Sequence, residues 1–220
     1  MTIRYSYFKT DVCKQYRSFH SRIQQFISGW VVQQLLYEKS VVSCYGLHRE
    51  FNNSITCPKE KNSQYWHKLV NGMSIQNSDK IEAIESFSPG ITQYLCHPLC
   101  FLLNLPNRYF FSVNGVIQTR QMPIRIKNQV ATIQQFDALT EEEHSSIYLA
   151  TLNKLCPLLI DGCNACLKHD FIEVRKLRSE IEHHLSESLK TWRYPKTANF
   201  LSNLINNKLD RLTAINLKHH

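Results

Sequence analysis

The sequence predicts a mainly α protein, a helical bundle-like fold with one small β-hairpin. Three observations predict it. Apolar residues recur every three or four positions through the first and last thirds of the chain, the period of a helix with one buried face. Only 6 Gly and 7 Pro interrupt 220 residues. The one short hairpin signal is Asn114-Gly115, set between the β-prone runs of NRYFFSVNGVIQTRQMPIRI.

From Asp11 to Lys39, Val12, Tyr16, Phe19, Ile23, Phe26, Ile27, Trp30, Val31, Gln34 and Leu35 fall at spacings of three and four, which predicts one long amphipathic helix. Gly29 inside it costs about 1 kcal/mol of helix propensity and leaves room for a second element to pack closely. Residues 44–62 read as loop, with Gly46, Asn52-Asn53 and Pro58 as punctuation. A short helix then carries Tyr65, Trp66, His67 and Lys68, and Asn71-Gly72 stops it, since either residue tolerates the left-handed conformation. Asn77 or Ser78 caps the next helix, built on Ile81, Ala83, Ile84 and Phe87, with Glu82 near its positive end. After Pro89-Gly90, ITQYLCHPLCFLLNL is apolar and helical, and Pro98 either opens a second segment or kinks a continuous one.

The hairpin at 109–120 follows, leaning on helices because two strands alone are marginal. Thr140 with Glu143 forms a capping box ahead of Ile147, Leu149, Leu152 and Leu155, which accounts for the acidic run Glu141–Glu143. Asp170 caps a longer helix with the stripe Phe171, Val174, Leu177, Ile181, Leu185, Leu189 and Trp192, ended by Pro195. The last helix carries Phe200, Leu201, Leu204, Ile205, Leu209, Leu212 and Ile215. The expected organisation is an N-terminal helical region over 1–106 and a C-terminal helical region over 107–220.

A formal net charge of +8 favours polyanionic partners, nucleic acid foremost. No run reaches the roughly 20 apolar residues of a membrane span, so no membrane partner is expected. MTIRYSYFKTDVCKQYR lacks the apolar core of a secretory signal, so the expected compartment is the cytoplasm and the 8 cysteines are expected as reduced thiols. There is no Gly loop to cradle a phosphate, no HExxH and no nucleophile elbow.

The stretch 61–98 carries the first functional candidate. Trp66, the cation Lys68, Gly72 and the apolar pair Ile81 and Ile84 resemble the recognition-helix half of the lambda-repressor/Cro-like helix-turn-helix. Pro58 stands where that family's preceding helix runs, so the resembling segment, 61–90, is a degenerate helix-turn-helix. The resemblance implies Asn62, Ser63, Gln64 and His67 near base edges, Lys61 and Lys68 near phosphates, and duplex DNA as the partner.

Two further constellations carry chemistry. The run from Arg178 to His183 and His184 matches the R-x4–6-H pattern of the HEPN ribonucleases, a resemblance that implies Arg178 on the scissile phosphate and His184 as general acid or base. Cys163-Asn164-Ala165-Cys166, with His169 and the earlier Cys156, has the spacing of a zinc knuckle. A second ligand pair is missing unless Cys96, His97 and Cys100 supply it, so no zinc or other cofactor is expected. Three functional readings result. The first is a nucleic-acid-binding regulator or component of a nucleoprotein assembly, more a binding protein than an enzyme. The others are a HEPN-like ribonuclease and a non-enzymatic adaptor that docks other proteins.

Overall fold

The computed structural model describes residues 14, 16–54, 60–105 and 147–216. They form α1 (Ser21–Glu38), α2 (Cys44–Asn53), α3 (Tyr65–Val70), α4 (Ser78–Phe87), a 3-10 helix (Ile91–Cys96), α5 (Pro98–Asn104), α6 (Ile147–Leu167), α7 (Phe171–Thr191) and α8 (Pro195–Asn216). No strand occurs among the described residues. The hairpin expected at 109–120 and the Thr140–Glu143 capping box lie outside them. No described helix is long and apolar enough to cross a membrane.

These residues fall into two compact units, one within Met1–His97 plus Arg193–Thr197, the other within Pro98–Trp192 plus Ala198–His220. The first unit includes a five-residue return from far along the chain. Pro98 opens α5 rather than kinking a longer helix. It has no N–H to leave unpaired at a first turn.

The first unit is built around α1. Every residue from Phe26 to Leu36 is buried, so this helix is covered nearly all round instead of along one stripe. Of its buried polar side-chain atoms, Trp30 Nε1 and Gln33 Oε1 have no partner among the described residues, and others are paired. Ser28 donates to Gln24 O at 2.8 Å and accepts from Ile75 N at 3.1 Å, and the Tyr16 hydroxyl joins both. Gln34 Nε2 reaches Glu38 at 2.6 Å, and Gln33 Nε2 reaches Tyr194 O at 3.2 Å. Trp30 stacks on Phe26 at 5.8 Å and meets Tyr94 edge-on at 5.4 Å. α1 is shorter than the helix expected from Asp11. It starts at Ser21 because His20 takes the cap position, while Gln24 Nε2 turns back to Arg17 O and Phe19 O.

The reading of 44–62 as loop is corrected for 44–53, which form α2. Ser43 caps it, accepting from Gly46 N at 3.1 Å, and Cys44, Leu47 and Phe51 supply a buried face at helical spacing. Gly46 is there for proximity and not to break a helix, since a Cβ would stand 2.5 Å from Val41 Cγ1. The same argument explains Gly29, where a Cβ would stand 2.6 Å from Thr197 Oγ1 at the start of α8. The room expected at Gly29 is thus taken by Thr197.

In the second unit α6 and α7 pack along each other across the turn 168–170. His169 holds φ 56°, the left-handed position of a helix C-terminus, and Asp170 N closes on Ala165 O at 3.0 Å. Asp170 then caps α7 through Glu173 N at 3.0 Å, as its sequence position requires. Val174, Leu177, Ile181 and Leu185 bury the expected stripe. Phe171 does not join it. As the first residue of α7 it lies beyond the packed turns and is exposed. On α8, Leu201, Ile205, Leu209 and Leu212 are buried.

Candidate nucleic-acid interface

The segment that leads into α3 is fixed by a chain of hydrogen bonds that starts on α2. The Asn52 side chain clamps the backbone of Glu60 from both sides, accepting from its N–H at 2.7 Å and donating to its carbonyl at 3.0 Å. Glu60 Oε1 accepts from Asn62 N at 2.8 Å, and Glu60 Oε2 pairs with Lys80 of α4. Asn62 Oδ1 accepts from Gln64 N at 3.0 Å, and its carbonyl accepts from Tyr65 N at 3.0 Å, which begins α3. Burial acts to raise the Glu60 carboxyl, but Lys80, the Asn62 N–H and His48 outweigh it and hold the group below the ordinary glutamate range. The carboxylate nearest to Lys61 in sequence is therefore buried, ionised and already neutralised by Lys80.

α3 is oriented by its own apolar side. Trp66, Leu69 and Val70 are buried, and Trp66 meets Phe51 of α2 edge-on at 5.2 Å. At its end Met73 N bonds Lys68 O at 2.9 Å across Gly72, whose φ is 100°. Asn71 Nδ2 takes His67 O at 2.8 Å. This is the stop expected from Asn71-Gly72. The connection to α4 then spans 71–77, seven residues, longer than the three or four of a typical helix-turn-helix turn, and Asn77 caps α4 through Asp79 N at 2.9 Å. Contact of α3 is mainly with α1 and α2.

All six residues expected to face nucleic acid, Lys61, Asn62, Ser63, Gln64, His67 and Lys68, are exposed, while Trp66 between them is in the core. Asn62 is occupied as the turn's own cap. The side chains of Lys61, His67 and Lys68 make no ion pair among the described residues. No Asp or Glu occurs from Lys61 to Ser78. The result is a cationic strip on a rigid support, with polar side chains interleaved.

The other candidates are arranged differently. Arg178 and His184 are half-buried on α7, and His183 is exposed. Arg178 Nη2 binds Asp210 of α8 at 2.6 Å, so its guanidinium already has a carboxylate. Six positions separate Arg178 from His184, about 9 Å along the axis and roughly 120° around it, so the two do not converge on one phosphate from a single helix. Of the other cations on α7, Lys176 pairs with Glu173 and Lys190 with Glu187.

Cys163 and Cys166 are buried in the last turns of α6, where Cys166 Sγ lies 3.5 Å from Thr213 Oγ1. Burial pushes the Cys163 thiol up to about 12, even with Lys208 acting to lower it. His169 is exposed past the helix end, its ring 6.3 Å from Phe171. Among the described residues no group of three or more His, Cys, Asp or Glu is placed to hold a metal ion.

Three features of this candidate surface carry no sequence signal. They are the Asn52 clamp, the Glu60–Lys80 pair that neutralises the nearest carboxylate, and the packing of α2 behind α3. Comparison with protein-family models, characterised proteins and solved structures gave no match, so the geometry alone bears on function.

Proposed function

We propose that the protein binds nucleic acid through the strip Lys61–Lys68, as a regulator or as a component of a nucleoprotein assembly. The observation that carries this reading is the exposure of Lys61, His67 and Lys68 around a buried Trp66, with no acidic residue through Ser78 and the Glu60 carboxylate taken by Lys80. Cations already paired with carboxylates, as Lys176, Arg178 and Lys190 are, gain less from a phosphate because the existing pair must be given up. Uncommitted cations on a fixed backbone gain the full effect of counterion release.

In this reading Lys61 and Lys68 take phosphates, and Gln64 is the side chain with free amide groups nearest the base edges. The two roles separate by mutation. Lys61→Ala with Lys68→Ala weakens binding to every duplex sequence by the same factor. Gln64→Ala changes preference at a single base pair by roughly 1–3 kcal/mol. Fluorescence anisotropy on a panel of labelled duplexes measures both. A double lysine variant that binds every duplex as tightly as the parent would eliminate this strip as the contact surface.

A further inference from the structure

We propose that the junction of α1 and α2 is a stacking surface for unpaired bases of a single-stranded nucleic acid, an inference that rests on the nucleic-acid reading and specifies the form of the ligand. Three large side chains stand out of the first unit here. Tyr37 in the last turn of α1 is 54% exposed, Val42 in the connection 76%, and Tyr45 in the first turn of α2 71%. The support beneath them is fixed. Ser40 holds φ 52° while Val41 N closes on Leu36 O at 2.9 Å, and Ser43 caps α2. The returning segment braces the same place, with Arg193 Nη1 donating to Val41 O at 2.6 Å and the Tyr194 hydroxyl 3.1 Å from Cys44 Sγ.

Next to Tyr37 the Glu38 carboxylate is engaged by Gln34 and Ser88, which leaves the arginines around the tyrosines to meet a polyanion. Arg193 is exposed beside Val41, and Arg49 is exposed on α2. At about 100° per residue Arg49 lies roughly 40° around α2 from Tyr45, while Glu50 is turned away by roughly 140°. A tyrosine ring one helical turn from a guanidinium suits a base and its phosphate together. It does not suit a duplex, where the base faces are already covered by their neighbours.

The test uses the full chain, a labelled oligothymidylate of about 16 nucleotides and a duplex of the same length, with anisotropy as the readout. The parent should bind the single strand more tightly than the duplex. Tyr45→Ala should weaken the single strand on the order of 5- to 100-fold and leave the duplex unchanged, whereas Tyr45→Phe, which keeps the ring, should hold the parent's affinity. Circular dichroism spectra of these surface variants should match the parent's, so that lost binding is not lost folding. If the parent binds duplex normally and Tyr45→Ala leaves single-strand affinity intact, the stacking surface is refuted while the cationic strip stands. If the parent binds neither, both readings fall. A dimer in sedimentation that Tyr45→Ala dissociates would assign the patch to a second copy and overturn the inference.

Discussion

Gly29→Ala tests the packing that brings the far end of the chain back onto α1. The new methyl carbon would stand 2.6 Å from Thr197 Oγ1 and 3.2 Å from its Cγ2, well inside van der Waals contact. Thr197 is fully buried and β-branched, so it has little freedom to move aside. Overpacking of this kind costs about 1–3 kcal/mol, and the absence of slack places it in the upper part, about 2–3. Alanine gains about 1 kcal/mol over glycine in a helix interior, so the net loss is about 1–2 kcal/mol. With Thr197→Ala in the background the clash is gone and only the helix gain remains. Urea denaturation of the four proteins in this cycle should therefore give a coupling of about 2–3 kcal/mol, far above the ~0.5 kcal/mol expected of independent sites. Additive effects, or a Gly29→Ala variant more stable than the parent, would refute the contact.

Other consequences concern stability and pH. Burial lowers the Lys208 ammonium to about 8, so below pH 8 the lysine is charged in both states and its desolvation is a constant cost. Between about 8 and its ordinary value the unfolded chain holds more protons, and this cost is relieved as pH rises. Lys208→Met should accordingly lose stability relative to the parent as pH rises from 7 towards 10.5, by up to about 3 kcal/mol, read from denaturant midpoints at both pH values. His169→Gly, which relieves a left-handed residue at φ 56°, should stabilise by about 1 kcal/mol and raise the melting temperature; a lower one would contradict the strain. Trp66→Ala should cost about 3–5 kcal/mol, because its ring is fully buried against Phe51. Glu60 is depressed, so its share of stability is present above the ordinary glutamate pKa and is lost as pH falls through the lower folded value. Glu60→Gln should remove that part of the acid sensitivity.

Much of the fold is written in apolar spacing, and the failures have local causes. Val174, Leu177, Ile181 and Leu185 lie where a 3.6-residue period puts them, and Asp170 caps as its type dictates. α2 was hidden because Gly46 and Asn52 are turn residues by propensity. The first is set by a neighbouring Val41 methyl group, and the second by a clamp on Glu60 eight residues away. No local pattern encodes either. The same holds for Arg193–Thr197, whose place in the first unit depends on Gln33, Val41 and Cys44, more than 145 residues earlier in the chain. At the proposed interface, the exposure of Lys61 and Lys68 was legible from their place beside an aromatic destined for the core. Neutralisation of Glu60 by Lys80 was not, because twenty residues and a turn of glycine conformation separate the pair.

The salt dependence of duplex binding tests the central claim most directly. Each phosphate neutralised adds about 0.9 to the magnitude of the slope of log K against log salt, so removing Lys61 and Lys68 together should flatten the slope by about 1.8. The same loss should appear on unrelated duplex sequences, as a backbone contact requires. A double variant whose slope and affinity equal the parent's at every salt concentration would contradict the account.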